Sequence, residues 1–114
     1  MNIKLHPTLT DERWFKFTLF EQLANVGVEI ERTIYWRNSD NVEYSQKAFW
    51  RALELIDFTA RDPKHSRPRR REILRTREAL VDHFAYDNEY RSTDTLWQDY
   101  FYAFNYAAAL QRGK

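Results

Sequence analysis

Phe20 to Ile34 reads FEQLANVGVEIERTI, and its spacing decides the fold class. Phe20, Leu23, Gly27, Ile30 and Ile34 recur at alternating intervals of three and four, the period that stacks side chains on one face of an α-helix. Phe17, Ala24 and Val28 widen this seam to the breadth a helix needs between two neighbours. Thr10 supplies an N-cap, and Asp11 and Glu12 put acids where the helix dipole favours them. A first helix is therefore expected over about 11–37.

The same reading extends outward in both directions. Asn38-Ser39-Asp40-Asn41 is a polar break, and Asp40 with Glu43 has the spacing of a capping box. A second helix over about 41–61 turns Ala48, Phe49, Ala52, Leu53, Leu55, Ile56 and Thr59 inward. Asp62-Pro63 ends it, because a residue before proline resists the helical conformation. Pro68 suits the first turn of a third helix over about 67–86, with Ile73, Leu74, Leu80, Val81 and Phe84 inward. Ser92 or Thr93 caps a fourth over about 93–111, striped by Trp97, Tyr100, Phe101, Phe104, Ala107 and Ala108, with Gly113 as terminator. Upstream, Pro7 opposes helix and 1–9 reads as an extended arm. The connections are short, which favours antiparallel neighbours. The expected fold is all-α: one domain spanning 1–114, a four-helix up-down-up-down antiparallel bundle with an extended N-terminal arm. Gly27 costs about 1 kcal/mol against alanine in mid-helix, so it either admits a close neighbouring helix or is simply tolerated.

Composition narrows the function classes. Hydrophobic residues at 43% and charged residues at 31% describe a globular chain, and 2 Gly with 3 Pro leave little room for the turns of an all-β fold. The absence of cysteine excludes disulfides, thiolate catalysis and Cys-ligated zinc. Neither a signal-type apolar core nor a run of about 18 apolar residues is present, so a cytoplasmic protein that leaves the membrane alone is expected. Aromatic residues reach 17%; at helical spacing they read as core rather than as a base-stacking platform. Tyr102 and Tyr106 lie off the stripe of the fourth helix, and a helix apolar nearly all round is buried or meets a partner chain. A homodimer is therefore expected.

The densest feature runs from Arg61 to Arg77. Arg61, Lys64, Arg67, Arg69, Arg70, Arg71, Arg75 and Arg77 stand against Asp62 and Glu72 alone, a net +6, which leaves −5 elsewhere in a chain whose total is +1. Guanidinium forks match phosphate oxygens bidentately, so RNA or DNA backbone is one reading of the block. An acidic protein partner is another, and a solvated face a third. Asp82, Asp87, Glu89, Asp94 and Asp99, relieved by Arg91, form an acidic candidate for pairing.

Arg77 lies on the apolar stripe of the third helix, four residues after Ile73 and three before Leu80. A buried charge needs a partner, and Glu21, between Phe17 and Ala24, is the candidate; the alternative is two side chains snorkelling to the rim. His83 follows Arg77 by six residues. An Arg–His set can cleave RNA without metal, the imidazole acting as general acid or base and the guanidinium stabilising phosphorane charge. The bland reading is a partly packed histidine at a helix end.

Arg77-Glu78-Ala79-Leu80-Val81-Asp82-His83 fits the Arg-x(4–6)-His spacing of HEPN domains, and with the helical layout the chain resembles those small dimeric bundles of toxin–antitoxin and RNA-processing systems. The resemblance implies metal-independent ribonuclease activity, with Arg77 and His83 paired at a dimer interface, or nucleotide binding without catalysis. Glu78 departs from the Asn, Asp or His that often follows the arginine, and Tyr86 stands three residues after His83 where one toxin subset has tyrosine two after. No His follows a Glu by three, His-Glu-x-x-His is absent, and Gly27 and Gly113 alone make no phosphate loop. Neither metal nor cofactor is expected. The sequence points first to a binding module contacting RNA or an acidic partner through its Arg-rich block. A ribonuclease and a structural oligomerisation partner are the alternatives.

Overall fold

A computed structural model describes residues 6–113. Among the described residues there are five helices and no strand: α1 (Asp11–Trp14), α2 (Leu19–Asn38), α3 (Val42–Arg61), α4 (Arg67–Ala85) and α5 (Asp94–Arg112). The expected first helix over 11–37 is corrected to two. Thr18 adopts extended backbone, its hydroxyl accepts the Glu21 N–H at 3.2 Å, and Glu21 Oε1 accepts the Thr18 N–H at 2.9 Å. That reciprocal capping box restarts the helix, and the continuous apolar period across Phe17–Ala24 hides it. The break lets Trp14 turn inward, where its indole N–H donates to Thr59 Oγ1 at 3.0 Å. Phe17, expected in the seam, is exposed and packs edge-on against Trp14.

Two further local expectations shift. The cap of α3 is Asn41, whose side chain accepts the Tyr44 N–H at 3.0 Å, while Asp40 takes a left-handed backbone with φ 60°, a conformation aspartate tolerates. Of the expected extended arm, residues 1–5 lie outside the described residues. Residues 6–9 form a turn instead, closed by Leu9 N–H on His6 O at 3.0 Å and held where His6 N–H and Nδ1 meet Glu54 Oε1. Asp62 ends α3 in extended backbone as its proline neighbour demands, and Thr93 rather than Ser92 caps α5.

α2 is the centre of the packing. It meets α3 through Thr33 with Ser45, Glu29 with Arg51, and Gln22 with Asp62. It meets α5 through Gly27 with Phe101, Phe20 with Phe104, and Thr18 with Gln111. In both pairs residue numbers rise on one helix as they fall on the other, so each pair runs antiparallel. Val26, Ile30, Ile56, Leu80, Trp97 and Phe101 are buried in the shared core. A Cβ on Gly27 would lie 2.7 Å from Phe101 Cβ, so the glycine admits the close approach of α5. α4 packs on α3 and is buried only at Ile73 and Leu80. Leu74, expected inward, is exposed; it lies about 100° round the helix from Ile73.

Candidate functional site

The Arg-rich block spans the end of α3, the connection, and the first half of α4. Ser66 starts α4, its hydroxyl accepting the Arg69 N–H at 3.2 Å, and Pro68 sits in the first turn. No acid occupies that turn, so Arg67, Arg69 and Arg70 stand at the positive end of the helix dipole, each unfavourable by about 0.3–1 kcal/mol. A bound anion relieves that repulsion.

The structure divides the block by what each side chain touches. Arg61 reaches Asp11 at 3.0 Å and covers the Phe58 ring. Lys64 bonds Asp62 and donates to Phe15 O at 2.8 Å. Arg70 Nε donates to Ala60 O at 2.8 Å, and Arg69 lies 3.9 Å from Glu72. Arg67, Arg71 and Arg75 have no carboxylate within ion-pair distance among the described residues, and all three are exposed. Their spacing of four places them along one stripe of α4.

Arg77 does not pair with Glu21. Its Nε donates to Asp57 Oδ1 at 2.8 Å across the α3–α4 contact, and both side chains are only partly buried. Glu21 is occupied by the capping box of α2. The break before Thr18 therefore removes the inward carboxylate on which the expected pair depended.

His83 turns the other way. Its Nε2 lies 2.9 Å from Asp94 Oδ1, and the other oxygen of Asp94 holds Arg37. Burial raises the Asp94 carboxyl, but the hydrogen bonds from Arg37 and His83 outweigh it and hold the group below its ordinary value. His83 is nine-tenths buried, stacks edge-on against Phe84, and leaves Nδ1 without a hydrogen-bond partner. Within one chain Arg77 and His83 thus have different partners, Asp57 and Asp94.

Arg77 instead borders an open concavity of about 480 Å³ beyond the middle of α4. Leu74 and Val81 form its floor, Tyr86 and Tyr90 its exposed rim, and Glu78, Asp82, Asp87 and Glu89 give it negative charge. Asp82 accepts the backbone N–H groups of Glu89 and Tyr90 at 2.8 and 3.0 Å, and the Tyr90 hydroxyl donates to Glu78 at 3.1 Å. The chain reverses there through left-handed Asn88 and Arg91. Of the expected acidic surface, Asp94 and Asp82 are thus committed inside the fold or to this turn.

A second polar cluster is structural. Gln22, fully buried, donates to Trp14 O and Asp62 Oδ2 and faces His65 Nε2 at 2.8 Å. Burial pushes Asp62 up, but donors from Lys64 and Gln22 bring it below its usual range. Burial is also the leading cause that holds His65 below its ordinary value. These groups tie α2 to the α3–α4 connection and are closed to a ligand.

Asp57, Arg37 and Tyr90 escape sequence reasoning, since each meets its partner across elements; of the turn after α4, only the acids Asp82, Asp87 and Glu89 are legible, as charge. Among the described residues no helix is long and apolar enough to cross a membrane, and no three His, Asp or Glu side chains cluster as metal ligands do. No family model, curated protein or solved structure matches the chain.

Proposed function

We propose that this chain is an RNA-contacting module that grips phosphate backbone through Arg67, Arg71 and Arg75. The observation that carries the reading is the contrast within the block: Arg61, Lys64, Arg70 and Arg77 are engaged by other elements of the fold and Arg69 lies near Glu72 on its own helix, whereas these three are exposed and, among the described residues, unpaired on one stripe. A guanidinium without a carboxylate keeps all its donors for phosphate. Such contact is sequence-tolerant, and the reading places the chain in the cytoplasm. The same reading takes the four long helices as an up-down-up-down bundle with α1 as an appended turn, supported by the antiparallel pairings of α2.

The test is binding of a labelled single-stranded RNA by fluorescence anisotropy across a salt series. Three phosphate contacts predict a slope of about −2 in log K against log salt. Arg67→Glu/Arg71→Glu/Arg75→Glu abolishes binding with helicity unchanged. Binding that survives the triple variant, or its absence from the parent protein at low salt, overturns the reading; capture of an acidic protein by the same arginines would replace it.

A metal-independent ribonuclease centred on Arg77 and His83 is a second reading, favoured by the way Asp94 orients the imidazole. Both side chains are held apart in one chain, so it requires their release onto a common phosphate. RNA recovered intact after incubation in chelator rejects it; cleavage lost in His83→Ala at unchanged melting temperature establishes it.

A further inference from the structure

We propose that the outer face of α4 docks antiparallel on the same face of a second copy of this chain, across a two-fold axis level with the Thr76–Arg77 step of the helix. At 100° per residue, Arg67, Arg71, Leu74, Arg75, Glu78 and Asp82 fall within an arc of about 100° on that helix. The arc opposite is the one that carries Ile73 and Leu80 into the core; this outer face meets the turn after α4, where Glu78 and Asp82 accept hydrogen bonds from Tyr90 and Glu89 and keep their charge, while Arg67, Arg71 and Arg75 stay exposed.

The charges on the face are ordered. Its first half is positive and its second half negative, and they are symmetric about one point. Antiparallel pairing about Thr76–Arg77 sets Arg75 against the partner's Glu78, Arg71 against the partner's Asp82, and Arg67 against the partner's Tyr86 and Asp87. Each contact occurs twice, as an isologous interface requires. The three arginines that lack a carboxylate among the described residues of their own chain are thereby the three that meet acids or an exposed tyrosine ring in the other. The receiving surface is the concavity rimmed by Tyr86 and Tyr90, where a ring face attracts a guanidinium. Arg77, the base among its lining residues, is already neutralised by Asp57. Leu74, half exposed, adds apolar contact near the axis.

A 19-residue helix is about 28 Å long, and one face of it covers less area than a standard stable interface. The dimer is accordingly weak and salt-sensitive. Because the phosphate contacts proposed above use the same three arginines, self-pairing masks them, and RNA and the second copy compete. That consequence rests on the RNA reading; the dimer itself does not.

Sedimentation equilibrium at low salt over a concentration range up to about 1 mM tests the pairing. The parent chain self-associates, and added salt weakens the association. Arg75→Glu and Glu78→Arg each put like charges across the axis and weaken it by about tenfold or more. Arg75→Glu/Glu78→Arg restores opposite charges with inverted polarity and returns the association to within about threefold of the parent. A parent that stays monomeric, single variants that associate as tightly as the parent, or a double variant that stays as weak as the singles each overturn the proposal. Circular dichroism melting accompanies every variant, and a single variant that melts early is replaced by Arg71→Glu, which breaks the pair with Asp82. Glu78→Arg retains all three phosphate-contacting arginines, so RNA binding by that variant with loss of the dimer separates the two proposals.

Discussion

α2 and α4 are nearly equal in length and differ in what they surrender to the core. α2 is buried at eight positions, from Gln22 to Ile34, and packs on both α3 and α5. α4 is buried at Ile73 and Leu80 alone. A helix gripped on two sides must spend its sequence on packing, and even its buried polar groups are tied, as Glu29 is to Arg32 and Arg51. A helix gripped by one narrow line leaves the rest of its circumference to charge. That difference is why the candidate surface lies on α4.

The comparison is broken most severely at the centre of α2. Ile30→Ala removes a fully buried side chain and is expected to cost about 2–5 kcal/mol, whereas Leu74→Ala on the outer face of α4 stays within about 0.5 kcal/mol; urea denaturation of both variants measures the gap. Gly27→Ala comes next. The new methyl would lie 2.7 Å from Phe101 Cβ, which is anchored to the backbone of α5, so overpacking of about 1–3 kcal/mol outweighs the helix propensity that alanine adds. A variant as stable as the parent would show that α5 can retreat from α2 freely.

The smallest effect is in acid, at the junction where α2 meets the start of α4. His65 has a folded pKa below its ordinary 6.5, so the unfolded chain binds its proton first. Its contribution is complete above pH 6.5 and is lost as pH falls below that value. Asp62 and Asp94 lie below their ordinary 3.8; what they contribute persists above that value and is lost as pH falls through their lower folded pKa. Stability at pH 5 is therefore expected below that at pH 7, and His65→Gln, which keeps a donor for Gln22, flattens that interval. An unchanged slope in the variant would assign it to other groups.

Much of the helical layout is legible in local spacing. The seam from Leu23 to Ile34, the stop at Asp62-Pro63 and the stripe from Trp97 to Ala108 all appear where period and caps place them. The failures have a common physical form. The Thr18–Glu21 capping box lies inside an apolar period that continues across it, so the break is invisible to periodicity although its residues are in view. Arg77 has the spacing of an inward residue, but which carboxylate it meets depends on Asp57, 20 residues away. His83 likewise meets Asp94 of α5, whose other oxygen holds Arg37 of α2.

By itself, the sequence determined the helical class, most of the helix ends and the concentration of charge between Arg61 and Arg77. Those properties depend on intervals of three or four residues, on caps and on counts. Only the tertiary structure decided which bases in that block are free. Arg61, Lys64, Arg70 and Arg77 are the same residue types as Arg67, Arg71 and Arg75 or close to them. What separates them is whether packing brings an acceptor within reach, and packing is settled by contacts across the chain, not along it.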